Sequence, residues 1–159
     1  MISLNKIIES HKKILPYINY TPLIHSDFLS LNRTVKLKLE SLQKTGSFKL
    51  RGALNKLLSL SDEKKAKGVI AVSTGNHGKG VAYASSLLGI KSTIYMSSMV
   101  PEYRKFAIES LGANVEIVGQ NSDEADLHAR KISEKENIPL IHPFDDEDVI
   151  IGQEQQAWK

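Results

Sequence analysis

From Val69 onward the chain repeats one pattern: a short apolar run, a turn bearing glycine or serine, then a longer stretch with apolar residues at helical spacing. Val69-Ile70-Ala71-Val72 predicts a strand, followed by a helix from about His77 to Leu88 that Gly89 stops. Ser92 to Met96 predicts a second strand. Pro101 to Leu111 predicts a helix with proline in its first turn, closed by Gly112. Val115 to Val118 predicts a third strand. Asn121, with Glu124 three residues on, reads as a capping box for a helix reaching about Glu136, and Pro139-Leu140-Ile141 as a brief fourth strand. Strands alternating with helices imply parallel pairing and right-handed crossovers, hence an α/β layered fold.

The first part of the chain is less regular. Ser3 caps a helix whose apolar residues fall at Leu4, Ile7, Ile8, Ile14 and Leu15, before Pro16 ends it. Val35 to Glu40 alternates strictly and predicts a half-buried strand. Ser47 reads as the N-cap of a helix with Phe48, Leu50, Ala53, Leu54, Leu57 and Leu58 on its apolar face. Ser61 to Gly68 reads as a charged surface connection, and Thr21-Pro22-Leu23 and His142-Pro143-Phe144 as turns.

Composition narrows the function classes. The chain has 159 residues, enough for one ordinary domain with a real core. Its net charge of +3 comes from scattered lysines, with no basic stripe interleaved with aromatics, so no nucleic-acid partner is expected. The sequence contains no cysteine, which excludes disulfides and thiolate metal sites. His11, His25, His128 and His142 match no metal-ligand spacing, and Asp145-Asp146-Glu147-Asp148 reads as a solvated acidic turn, so no metal is expected. No apolar run has the length to span a bilayer, and Met1 to Lys6 lacks the order of a signal peptide. A cytoplasmic protein without a membrane partner is the expectation.

Two short stretches carry candidate chemistry. Lys49 stands at the start of a helix, where the dipole disfavours its positive charge. Desolvation and nearby positive charge lower a lysine's pKa and free its amine for a Schiff base. On spacing alone the same lysine also reads as one snorkelling to water. Ser73-Thr74-Gly75-Asn76-His77-Gly78 lies between a predicted strand and helix, where successive backbone N–H groups make an anion site. Read alone, it could equally be a ligand-free βα turn. Its glycines do not follow the dinucleotide-binding order.

In their full context these stretches resemble the threonine and serine dehydratases. These are pyridoxal 5'-phosphate (PLP) enzymes of fold type II, in the tryptophan synthase β-like superfamily. The match includes Leu37-Lys38-Leu39-Glu40, Gln43 to Ala53, the Ser73–Gly78 loop, Thr21-Pro22-Leu23 and His142-Pro143-Phe144, and runs from about Thr21 to Gln153. The resemblance implies that Lys49 is the catalytic lysine holding PLP covalently and that Phe48 packs against the cofactor ring. It implies that Asn76 binds the cofactor's phenolic oxygen, while Ser73, Thr74, Gly75, Asn76 and His77 hold the substrate carboxylate. The activity implied is dehydration and deamination of a small hydroxy amino acid such as threonine or serine. Related serine racemases place a serine where Thr74 stands; the bulkier threonine points away from racemisation. Racemisation, dehydration of another hydroxy amino acid, and a non-catalytic remnant or interaction module are the alternatives.

Family members are considerably longer. The resemblance assigns residues 1–67 to the N-terminal part of a large domain, 68–143 to a complete small α/β domain, and 144–159 to a stub of the large domain. On this reading the Gly-rich phosphate loop falls outside the chain, and the full-length parent is a homodimer. The ending reads GQEQQAWK where the family pattern is nearer GQGTTGLE. One coding sequence for the latter, with one base deleted from its third codon, translates as the former. A frameshift after Gln153 is therefore expected, against a natural short form or an expression boundary; the reading frame beyond Lys159 decides between them.

Overall fold

The computed structural model describes residues 2–156. Ala157, Trp158 and Lys159, the end of the tail expected to be out of frame, lie outside the described residues. Helix α1 (Leu4–Ile14) is capped by Ser3, whose hydroxyl accepts from the Lys6 N–H at 3.4 Å. A turn of 3-10 helix carrying Pro16 then redirects the chain. Strands β1 (Leu23–His25) and β2 (Lys36–Lys38) pair antiparallel, Ile24 opposite Leu37. β2 is shorter than the alternation of Val35 to Glu40 predicts, because Glu40 already begins a 3-10 turn and is buried. β1 has no counterpart among the predicted elements: three exposed residues after Pro22 show no burial pattern to read.

Helix α2 (Lys49–Ser59) buries Leu50, Ala53, Leu54 and Leu57 completely. Each such leucine contributes on the order of 2 kcal/mol. Its N-cap is Phe48 rather than Ser47, with helical dihedrals and no side-chain bond. The Ser47 hydroxyl is instead buried without a partner. The charged connection after α2 contains a short helix, α3 (Asp62–Lys67), which Ser61 caps through the Lys64 N–H.

The regular pattern from Val69 onward is the one observed. Strands β3 (Val69–Val72), β4 (Ser92–Met96) and β5 (Asn114–Ile117) form a parallel sheet in that order. Helices α4 (Asn76–Leu87), α5 (Glu102–Glu109) and α6 (Ser122–Glu136) follow its strands. The alternation within β3 explains the layers. Val69 and Ala71 join the large core with α2 and α4, while Ile70 and Val72 join a second cluster with Tyr95 and Ala129 of α6. Asn121 caps α6 from the Glu124 N–H, but the Glu124 carboxylate reaches the Gln120 N–H instead of closing the box. The expected fourth strand is a single parallel bridge between Leu140 and Ile70. Pro139 has no N–H to extend it, and serves only as acceptor for Ile70.

Helix α7 (Glu147–Glu154), capped by Asp146, then returns to α2. Thus α2 lies between α4 and α7. Glycines permit both crossings. A Cβ at Gly80 would lie 3.1 Å from the Lys49 carbonyl carbon, and one at Gly152 only 2.6 Å from the Arg51 carbonyl oxygen. No described helix is long and apolar enough to cross a membrane.

Candidate active site

Lys49 is the first residue of α2, and its half-buried side chain turns toward α7. Its Nζ donates to the Pro143 carbonyl at 2.7 Å and to Gln153 Oε1 at 3.3 Å, and lies 5.2 Å from the centre of the Phe48 ring. Burial holds its pKa below the usual lysine value. The amine is therefore easier to deprotonate than an exposed lysine.

The turn below α2 is fixed by a buried network. Arg51 donates from Nε and Nη2 to the two Glu40 carboxylate oxygens, at 2.9 and 2.8 Å. Thr21 Oγ1 donates to Glu40 Oε1 at 2.6 Å. Burial pushes the Glu40 carboxyl up, but the Arg51 and Thr21 hydrogen bonds outweigh it and leave the pKa below the usual range. A buried bidentate pair of this kind is costly to break, because the survivor is stranded. Glu40 and Arg51 stand in the quoted motif strings, yet no spacing argument singles them out; the only sequence signal is two opposite charges bordering apolar runs.

The loop after β3 is organised by its serine. Ser73 Oγ accepts from the Gly78 N–H at 2.8 Å and from the Gly75 N–H at 3.3 Å. The first-turn N–H groups of α4, at Asn76 and His77, have no helical acceptor, and helix starts of this kind can hold an anion. The Asn76 side chain is exposed. Thr74, Gly75 and Asn76 border a cavity of about 390 Å³ shared with Lys79, Arg104 and Ile108. Arg104 Nη1 donates to the Thr74 carbonyl at 3.4 Å, a contact between distant segments that no local pattern foretells.

His77 differs from the carboxylate ligand that the motif suggests. Its ring is 5 % exposed and its Nε2 donates to the Ile141 carbonyl at 2.8 Å, while Nδ1 is buried without a partner. Burial, outweighing the Ile141 hydrogen bond and aided by the Lys49 charge, lowers its pKa to about 4, so the ring is neutral at pH 7. The side chain ties the start of α4 to Ile141. The segment 141–143 is thus bound by His77 at one end and Lys49 at the other, bringing the two motifs to one place.

These groups fit a carbonyl-bearing cofactor at Lys49: a half-buried amine, an aromatic neighbour, and a nearby helix start able to hold a carboxylate. Among the described residues no cluster of three or more acidic or histidine side chains is placed to hold a metal ion.

Residues 14–158 match the family model described as pyridoxal-phosphate dependent enzyme. The chain is 46% identical over 156 residues to the catabolic L-threonine dehydratase of Staphylococcus aureus (strain N315), covering 96% of this chain and 45% of that protein. Among solved structures, the processed form of threonine deaminase isoform 2 from Solanum lycopersicum superposes with a TM-score of 0.87 at 36% identity, over 98% of this chain and 48% of its own. A serine racemase from Dictyostelium discoideum gives a TM-score of 0.90 at 35% identity, over 98% of this chain and 52% of that chain. The chain thus spans about half the length of the proteins it matches. With a parallel α/β sheet and the architecture of fold type II over that span, this chain belongs to the pyridoxal-phosphate dependent enzyme family.

Proposed function

We propose that the full-length parent of this chain catalyses dehydration and deamination of a small β-hydroxy amino acid, threonine or serine, to a 2-oxo acid and ammonia. One observation carries this reading: the half-buried Lys49 amine and the open first turn of α4 are tied together through residues 141–143. When bound, PLP supplies a sink for the electron pair left by Cα–H cleavage. Lys49 holds that cofactor through Nζ and, as a neutral amine, takes the Cα proton. Phe48 packs beside the cofactor, and the exposed Asn76 side chain is its polar contact. The loop from Ser73 to His77 receives the carboxylate on its backbone N–H groups, with Ser73 Oγ shaping the turn. That grip orients the Cα–H bond toward Lys49.

In this reading residues 1–67 belong to the large domain, 68–143 form the small domain and 144–159 re-enter the large one. The parallel sheet, contained between Val69 and Ile117, supports the division. The phosphate-holding residues come from the remaining length that relatives possess. The parent works as a cytoplasmic homodimer, and this chain by itself binds PLP weakly and turns over little substrate. Thr74, bulkier than the serine that related serine racemases place there, favours elimination over racemisation.

The test is a fusion of residues 1–153 to the remaining C-terminal part of the Staphylococcus aureus dehydratase, assayed with threonine and serine for 2-oxo acid, ammonia and D-amino acid. Formation of 2-oxo acid, reduced roughly 10²–10⁴-fold or more by Lys49→Ala, is expected. A PLP-loaded fusion that yields D-amino acid alone, or no product, contradicts the proposal.

A further inference from the structure

Gln153 closes a triangle with Lys49. Its Oε1 accepts from Lys49 Nζ at 3.3 Å, and its Nε2 donates at 3.2 Å to the Pro143 carbonyl, the same oxygen that accepts from Lys49 at 2.7 Å. The seat for this amide is built into the helix crossing. Gly52 lies one turn along α2 from Lys49, and a Cβ there would be 2.9 Å from both Cγ and Nε2 of Gln153. Gly152 lets α7 approach closely, since a Cβ on it would fall 2.8 Å from the Gly52 Cα. Two facing glycines therefore admit Gln153 over the first turn of α2, at the amine of the lysine that begins it.

An amine attacks a carbonyl through its lone pair, so the reacting form is neutral and released from acceptors. Two oxygen acceptors hold the ammonium's protons and so act against burial, which by itself eases deprotonation. We propose that Gln153 is a positioning residue for Lys49, docking the uncondensed ammonium against the Pro143 carbonyl until the amine leaves to form a C–N bond. Its place in catalysis rests on the reading of Lys49 as the cofactor lysine; the dock itself is a property of this chain alone.

Reductive methylation of the cofactor-free chain with formaldehyde and cyanoborohydride tests the dock. The ammonium loses a proton to solvent, its nitrogen bonds to the formaldehyde carbon, and the carbonyl oxygen leaves as water. Hydride from cyanoborohydride then adds to the iminium carbon to give the methylamine. Peptide mass spectrometry reads the rate at Lys49 against the exposed Lys44 of the same molecules. Gln153→Met removes the acceptor at similar length, and is expected to raise the Lys49/Lys44 ratio by roughly three- to tenfold, the range for one partly exposed charge-assisted hydrogen bond. Gln153→Glu places a carboxylate on the ammonium and is expected to lower the ratio. Opposite shifts support the dock, whereas unchanged ratios, or shifts of one sign in both variants, overturn it. Because no cofactor or substrate is present, this outcome is separate from that of the fusion assay.

Discussion

At His77 one ring nitrogen donates to the Ile141 carbonyl and the other is buried without a partner, so protonation would place a charge where nothing accepts it. In the unfolded chain this histidine takes up a proton near its ordinary value of 6.5, and in the fold only near 4. Between these values the unfolded state holds more protons, so stability falls as pH is lowered. From pH 7 to pH 5 the loss through this group is about 2 kcal/mol. Glu40 acts in a lower window: its depressed pKa gives stability that is present above the unfolded value and lost as pH drops through the folded one. Denaturant unfolding at pH 7 and pH 5 checks the first effect. His77→Gln, which keeps a donor for Ile141, should flatten the pH slope by about that amount, and an unchanged slope counts against the buried neutral ring. The residue type was legible in the Ser73–Gly78 motif, but its direction was not. The histidine's partner lies 64 positions along the chain, beyond the reach of local spacing.

Helix α2 is the element on which the site depends, because Lys49 opens it and both α4 and α7 pack against it. The apolar spacing from Phe48 to Leu58 reveals the helix and its buried face. It does not reveal that Phe48, rather than Ser47, ends it, since the chain before Lys49 already turns helically. Strands β3 to β5 and helices α4 to α6 are legible because period and turn residues agree there at each step. β1 is too short and too exposed to leave a pattern, and the fourth strand is reduced to one bridge by Pro139. The α2–α7 crossing cannot be read at all, since glycine spacing does not tell which two helices meet. It is nevertheless testable. Gly152→Ala would press a methyl group toward the Arg51 carbonyl and the Asn55 Cβ at 2.8 Å, forcing α7 outward. The expected cost is about 1–3 kcal/mol in thermal or denaturant unfolding, together with faster methylation of Lys49 as Gln153 is carried away. A variant as stable as the parent would show that the crossing is looser than described.

At the scale of the molecule, the chain spans about half the length of the relatives it matches, and its apolar surface is unevenly covered. Phe28 and Leu31 are 86% and 87% exposed, and Leu23, Ile24, Leu29 and Leu42 are exposed on the same β1–β2 region. A two-stranded sheet with such a face is marginal by itself, whereas the three-stranded parallel sheet is covered by helices on both faces. Such a contrast is what the proposed division into a small domain and part of a large one would produce. The central claim is that Lys49, among all the lysines, is the one arranged to hold PLP. The most direct test mixes the chain with excess PLP, traps even weakly held cofactor with borohydride and maps the pyridoxyl group by peptide mass spectrometry. The expected result is selective labelling of Lys49, which Lys49→Ala abolishes without transfer to another site. Labelling spread over exposed lysines such as Lys44 and Lys64, with Lys49 no more reactive than they are, would contradict the account.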